Sequence, residues 1–343
     1  MRAIAVTSIA SHSAPGIAKL FQLADTCSSE LVIIGDKKTP TWDKSALPGF
    51  VHYFSVEDQI DKWPNLAKLL PFNHYARKNL AYLWAIENNA TILLDTDDDN
   101  SSEIDIFDNV PNNFRSIDSE VEWVNAYGYF GKHEIWPRGL PLDEARKPLS
   151  ECIESPAGLD WHCFQSIVDG DPDLDAVGRM LYPENHYFDN QAPLILTGRN
   201  FCPTNSQATL WKKPILPLLY LPVTSSFRMT DIWRGIVLSG YMRESFLNTV
   251  IGKLGFRQDR NEHNLISDFL DEVPGHEHNR LIRAISDSTW KEIESCRENW
   301  KLGILDVYKK LIGKGLLKQL DLDCLVEFTK IAGDLVERKQ QLE

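Results

Sequence analysis

Apolar runs in the first hundred residues constrain the fold most. Residues 3–9 (AIAVTSI), 31–35 (LVIIG) and 91–95 (TILLD) read as buried strands, and 51–54 (VHYF) as a shorter one. The three longer runs lack the in–out alternation of a half-exposed strand, so both of their faces must be covered. Helical spacing separates the runs. Ser13 and Pro15 open a helix whose Ile17, Leu20, Phe21 and Ala24 recur at i, i+3, i+4 and i+7. Asn73 is placed to cap a second helix, with Ala76, Leu80, Leu83 and Trp84 as its stripe. Apolar strands alternating with helices predict an α/β fold with a parallel sheet. Ligands bind beyond the carboxyl ends of such strands. That directs attention to Thr7 and Ser8, to Asp36, and to the residues after Leu94.

The remainder of the 343-residue chain is less regular until its end. Residues 193–196 and 208–211 are strand candidates, and 229–242 read as a helix capped by Thr230. From 286 onward the chain is charged, nearly free of Pro and helically periodic, with Trp290, Ile293, Trp300, Ile304, Leu305, Tyr308 and Leu311 as its stripe. These helices form a C-terminal extension suited to self-association into a homo-oligomer. The net charge of −13 argues against nucleic acid as a partner, which would require a basic footprint. No run approaches the ~18 apolar residues of a membrane span, and the N-terminal run is too short for a signal peptide. Six scattered cysteines without a CxxC pair read as free thiols. The expectation is a cytoplasmic protein, soluble or peripheral to a membrane.

The sharpest local signal is ILLDTDDDN, residues 92–100. Asp95, Asp97, Asp98 and Asp99 crowd the end of a buried strand, and their repulsion grows as water is excluded. Hard oxygen ligands suit Mg²⁺ or Mn²⁺. An EF-hand is excluded, because Asn100 and Ile106 stand where it needs Gly and Glu. An aspartyl-phosphate D-x-D and the D-x-D of a metal-dependent glycosyltransferase remain, beside the plain alternative of a solvated acidic turn. Four Asp on an apolar strand favour a metal site. Just upstream, Arg77 and Lys78 lie at the start of the second helix, where cations oppose the helix dipole. A bound diphosphate would account for them; an ordinary surface pair would too.

At this point the residues resemble a known family. GDKKTP (35–40), RKNLAYLWAI (77–86), DTDDDN (95–100), WPRGLPL (136–142), GDPDLDA (170–176), NSQATLW (205–211) and LYLPVTSSFRMTDIWRG (219–235) are similar to blocks of the STELLO-type glycosyltransferases. The likeness runs in order over about residues 1–275 and leaves the C-terminal extension outside. A more distant similarity is to the reversibly glycosylated polypeptides, which include UDP-arabinopyranose mutases.

The resemblance implies a GT-A-like fold with a mixed central sheet over 1–275, divided into a Rossmann-type nucleotide-binding half (1–110) and an acceptor half (111–275); the helical extension at 286–343 is read from its periodicity alone. It implies transfer of a sugar from a nucleotide-diphosphate donor, UDP-linked by preference, to a glycan or lipid-linked acceptor, with Mn²⁺ or Mg²⁺. Donor residues would be Thr7, Ser8, Asp36, Arg77, Asp95, Asp97 and Asp98. Metal ligands would be Asp97 and Asp99, closed by His263, with Arg257 and Arg260 near the phosphates. Asp231 at a helix start would be the base of an inverting transfer; a dipole-favoured acid reads nearly as well. Asn205, Gln207 and Arg234 would meet the acceptor. Asp171, Asp173 and Asp175 read as a turn with Asp173 capping a helix, and aromatics near 123–136 as sugar-stacking surfaces. A nucleotide-sugar pyranose/furanose mutase and a non-catalytic scaffold are the competing functions.

Overall fold

A computed structural model describes residues 1–117, 119, 121–258 and 264–340. The apolar runs become β1 (Arg2–Thr7), β2 (Glu30–Ile34), β3 (Val51–Phe54) and β4 (Ile92–Thr96). Between them lie α1 (Pro15–Thr26), α2 (Val56–Lys62), α3 (Pro64–Leu69) and α4 (Asn79–Glu87). The later strands are β5 (Asn100–Ser101), β6 (Arg115–Ile117), β7 (Cys152–Glu154), β8 (Cys163–Gly170), β9 (Leu194–Leu196), β10 (Ala208–Lys212) and β11 (Thr249–Gln258). Helices α5 (Ala176–Leu181), α6 (Thr230–Glu244), α7 (Leu265–Glu292), α8 (Trp300–Gly313) and α9 (Gln319–Gln340) complete the described chain.

One sheet runs β3-β2-β1-β4-β10-β8-β11-β9-β6-β7, with β5 on β11. The first four strands are parallel; β10 then enters antiparallel between β4 and β8. This mixed sheet with C-terminal helices is the α/β architecture expected from the sequence. Alternate residues of the parallel strands feed two cores. Ile4, Val6, Leu31, Ile33 and Leu94 pack with Ile17, Leu20 and Leu23 of α1. Ala3, Ala5, Val32, Ile34 and Leu93 pack with α4 and, further out, the C-terminal helices.

Three local expectations are corrected. Asn73 caps nothing: a 3-10 turn at Tyr75–Lys78, capped by His74, precedes α4. Asn79 through Ile86 are all buried, because α9 covers the outer side of α4 and removes the need for a polar face. Met229, not Thr230, stands at the cap position of α6. Helix α7 runs without a break through residues 276–285. Among the described residues no helix is long and apolar enough to cross a membrane, and all six cysteines are free.

Candidate functional site

The topology gathers the expected residues at one sheet end. Thr7 ends β1, Asp36 follows β2, and Asp97–Asp99 follow β4. Because β10 is antiparallel to β4, its first residue, Ala208, pairs with Thr96, which brings Ser206 and Gln207 beside the acidic turn. Strand β11 ends there at Gln258, alongside Gly170 of β8. The start of α1 presses on the same turn. A Cβ on Gly16 would lie 2.1 Å from the Asp98 carbonyl oxygen, so only glycine fits.

Two adjoining cavities open at this edge. The larger, about 260 Å³, takes its walls from Asp97, Asp98 and Asp99 on one side and Arg138, Arg228 and Asp231 on the other. The second, about 230 Å³, is lined by Ser8, Asp36, His74 and their neighbours. Thr7, Tyr75, Asp98 and Phe227 border both. His74 and Tyr75 stack at 5.6 Å, and burial, opposed by Asp36, depresses the His74 pKa. The imidazole is therefore neutral at pH 7.

The acidic cluster is divided between interior and cleft. Asp95 is fully buried. Its carboxylate meets Lys78 Nζ at 3.0 Å, Arg234 at 2.6 Å, the Tyr82 hydroxyl at 2.9 Å and the Ser206 hydroxyl at 3.0 Å. Burial raises the Asp95 pKa, but Lys78 and Arg234 outweigh it and hold the carboxyl below the usual carboxylate range. Lys78 also donates to Asp97 at 2.9 Å and to the Thr96 carbonyl at 2.8 Å. Asp97 differs, with 44 % of its side-chain surface open to the cleft. Desolvation by the surrounding cleft walls first, with Lys78 opposing and Asp99 and Asp95 adding repulsion, pushes its pKa up to about 6. Asp98 accepts from the Ser8 hydroxyl, and Asp99 from Gln258 Nε2 at 2.7 Å.

On the opposite wall, Arg138 forms two hydrogen bonds to Asp231, at 3.1 and 3.0 Å, and pairs with Asp173 at 2.8 Å. The Ser206 backbone N–H donates to Asp231 at 3.0 Å, and the Tyr75 hydroxyl lies 3.3 Å from it. Arg228 is held by Glu272 from α7 at 2.7 Å.

Several residues expected to touch ligand are engaged by the protein instead. Arg77 borders the smaller cavity, but its guanidinium turns inward to bond Gln59 and the carbonyls of Ala67 at 3.3 Å and Leu70 at 3.1 Å. The tight 3-10 turn is the cause, since it aims Lys78, the next residue, at the carboxylates. Arg234 is buried against Asp95, and Asn205 donates to Asp173 at 2.8 Å, so neither lines the larger cavity. Asp95 offers no open oxygen for a donor. Asp175, not Asp173, caps α5, through a 2.7 Å bond from the Gly178 N–H. Trp123, Tyr127, Tyr129 and Trp136 are buried and present no stacking face. His263 and Arg260 lie outside the described residues.

Arg138 and Gln258 were not singled out by the sequence reading, and Lys78 was named there as a diphosphate-facing cation rather than as the partner of Asp95 and Asp97. Lys78 stood beside the favoured Arg77, and Arg138 within the WPRGLPL block, which carried no assigned role. Asp97 and Asp99 both border the larger cavity and carry the carboxylate oxygen that a hard divalent cation takes. Among the described residues, however, no group of three or more His, Cys, Asp or Glu is arranged to hold a metal.

No protein-family model matches the chain. Mouse xyloside xylosyltransferase 1 superposes over 81 % of this chain and 83 % of its own with a TM-score of 0.24 at 13 % identity, too loosely to carry argument. Two curated Arabidopsis thaliana proteins, the probable glycosyltransferases STELLO1 and STELLO2, are 28 % and 27 % identical over 230 residues. The match covers 60 % of this chain but only 29 % of each relative, so the chain spans under a third of their length. Over three-fifths of its length the chain is similar to these STELLO proteins, and the resemblance carried by its sequence blocks is shown.

Proposed function

We propose that the protein is a glycosyltransferase that moves a sugar from a nucleotide-diphosphate donor, UDP-linked by preference, to a glycan or lipid-linked acceptor. One observation carries the reading: two cavities meet at Thr7 and Asp98, beneath the open half of the acidic cluster. The smaller cavity suits the nucleoside, with Ser8 and Asp36 as hydrogen-bonding groups and the His74–Tyr75 pair as an aromatic wall. The larger suits the transferred sugar and the acceptor hydroxyl. The similarity to proteins named probable glycosyltransferases supports the same reading.

In this proposal Asp97 and Asp99 hold Mn²⁺ or Mg²⁺. Such an ion neutralises charge developing on a leaving diphosphate. Lys78 keeps Asp95 and Asp97 apart in role, one fixed inside and one facing the cleft. Gln207 and Gln258 line the larger cavity with their amides bonded to each other and, from Gln258, to Asp99, and Arg138 orients Asp231. Asp231 is the carboxylate placed to take the acceptor proton. Donors already meet both its oxygens, so an incoming hydroxyl would replace the longest contact, from Tyr75 at 3.3 Å.

The test is calorimetry with nucleotides and nucleotide sugars, with and without Mn²⁺, on the wild type and on Asp97→Ala/Asp99→Ala. Metal-dependent binding of one diphosphonucleotide, lost in the variant, is expected. No binding by folded wild-type protein would refute the donor site and favour a scaffold. An acceptor-free ring-isomerised product would favour the mutase.

A further inference from the structure

The C-terminal helices lie beyond the blocks that carry the STELLO resemblance, yet they hold the segment that leads into the wall of the larger cavity. The link is Asp321, in the first turn of α9 and fully buried. One of its carboxylate oxygens accepts from the Val223 N–H at 2.6 Å and faces the Tyr220 hydroxyl at 3.5 Å. The other accepts from the Thr224 N–H at 3.1 Å and from the Thr224 hydroxyl. The Thr224 oxygen in turn accepts from the Lys318 N–H at 2.9 Å. Below this latch, Tyr220 packs edge-on against Tyr308 of α8, with ring centres 5.5 Å apart, and against Phe328 of α9 at 5.7 Å.

The segment so held leads directly into the site. Its next residues form the Phe227–Met229 turn and the start of α6, which carry Phe227, Arg228 and Asp231 to the cavity. A second clamp closes the other side: the Asn79 side chain donates to the Leu221 carbonyl at 2.9 Å and accepts from its N–H at 2.7 Å. Asn79 follows Lys78, so the same few residues reach both the acidic cluster and the opposite wall. Backbone N–H groups in a loop are normally left to solvent. Here consecutive ones converge on a buried carboxylate brought from a remote helix.

We propose that Asp321 is a positioning residue: by bracing residues 220–226 it sets Phe227, Arg228 and Asp231 against the cleft, which makes the C-terminal helices part of the site. The effect on turnover rests on the reading of that cavity as the place of transfer.

The test compares wild type with Asp321→Asn and Thr224→Val. The carboxamide offers one acceptor oxygen where the loop requires two; the valine removes the hydroxyl and leaves the acid in place. Amide hydrogen exchange across 221–231 should quicken at least tenfold in Asp321→Asn and less in Thr224→Val, with β1, β2 and β4 unchanged. Calorimetry with UDP and Mn²⁺ should give affinities within threefold of wild type. Hydrolysis of whichever nucleotide sugar the wild type binds should lose about tenfold in kcat with KM nearly constant. Unchanged exchange in the loop, exchange that quickens equally in the strands, or a loosened loop with full kcat would each overturn the proposal. A wild type that binds no nucleotide would refute the transfer reading instead, and the exchange pattern would then decide the brace alone.

Discussion

Replacing Lys78 with methionine tests how the acidic cluster is partitioned. The ammonium is fully buried between Asp95 Oδ1 at 3.0 Å, Asp97 Oδ1 at 2.9 Å and the Thr96 carbonyl at 2.8 Å. Burial lowers its pKa, but the two carboxylates outweigh this and raise it, so Lys78 is charged at every physiological pH. Methionine keeps most of the volume and removes the charge. Breaking a buried ion pair from one side costs about 3–5 kcal/mol. The low end applies, because Arg234, Tyr82 and Ser206 still hold Asp95. A loss of about 3 kcal/mol in a chain of 343 residues corresponds to a fall in Tm of about 4 °C. Denaturant unfolding of Lys78→Met, Asp95→Asn and the double variant measures the loss and the coupling. The freed Asp97 should also bind Mn²⁺ about tenfold more tightly, near 1.4 kcal/mol. A loss under about 1 kcal/mol, or purely additive single variants, would refute the assigned role of this ammonium.

Four further outcomes are expected. Asp97, pushed up to about 6, holds its proton below that value, and a cation must displace it. Mn²⁺ affinity should therefore be present above about pH 6 and fall as the pH drops through it; calorimetry in buffers of different ionisation heat should record proton release at pH 6 and almost none at pH 8. Arg77→Met strands Gln59 and the Ala67 and Leu70 carbonyls, so it should cost about 3 kcal/mol in unfolding experiments. Gly235→Ala brings a Cβ within 2.8 Å of the Thr204 carbonyl oxygen and should cost about 1–3 kcal/mol. Gly313→Ala, with open space around it, should gain about 0.5 kcal/mol by the same measurement.

The sheet end was legible because continuous apolar runs terminate in residues of opposite character, and a parallel sheet sends those ends to one edge. Thr7, Asp36 and Asp97–Asp99 follow from that pattern alone. What pattern does not give is direction over a single residue. Arg77 and Lys78 are adjacent cations, and only the 3-10 turn decides that Lys78 faces the carboxylates while Arg77 faces the Gln59 side chain. Arg138 and Asp231 are far apart in sequence and meet only when an irregular segment folds back across α6, which has no periodic signal. The C-terminal helices were legible as helices. Asp321 was not, because one acid on a charged helix resembles every other until its partners are placed.

The order of strands in the sheet also differs from the order in which they leave the ribosome. β4 is central in the finished sheet, yet its neighbour β10 is made only after β5 through β9, and the helix that covers α4 comes last. Until then a newly made N-terminal half presents an unpaired apolar strand edge and an uncovered apolar helix, the two surfaces that promote misassociation of nascent chains. Productive folding therefore waits on β10 and α9, whose long-range pairings close slowly. Truncation before α9 would recreate that vulnerable species, with consequences for yield and solubility well beyond the loss of a surface helix.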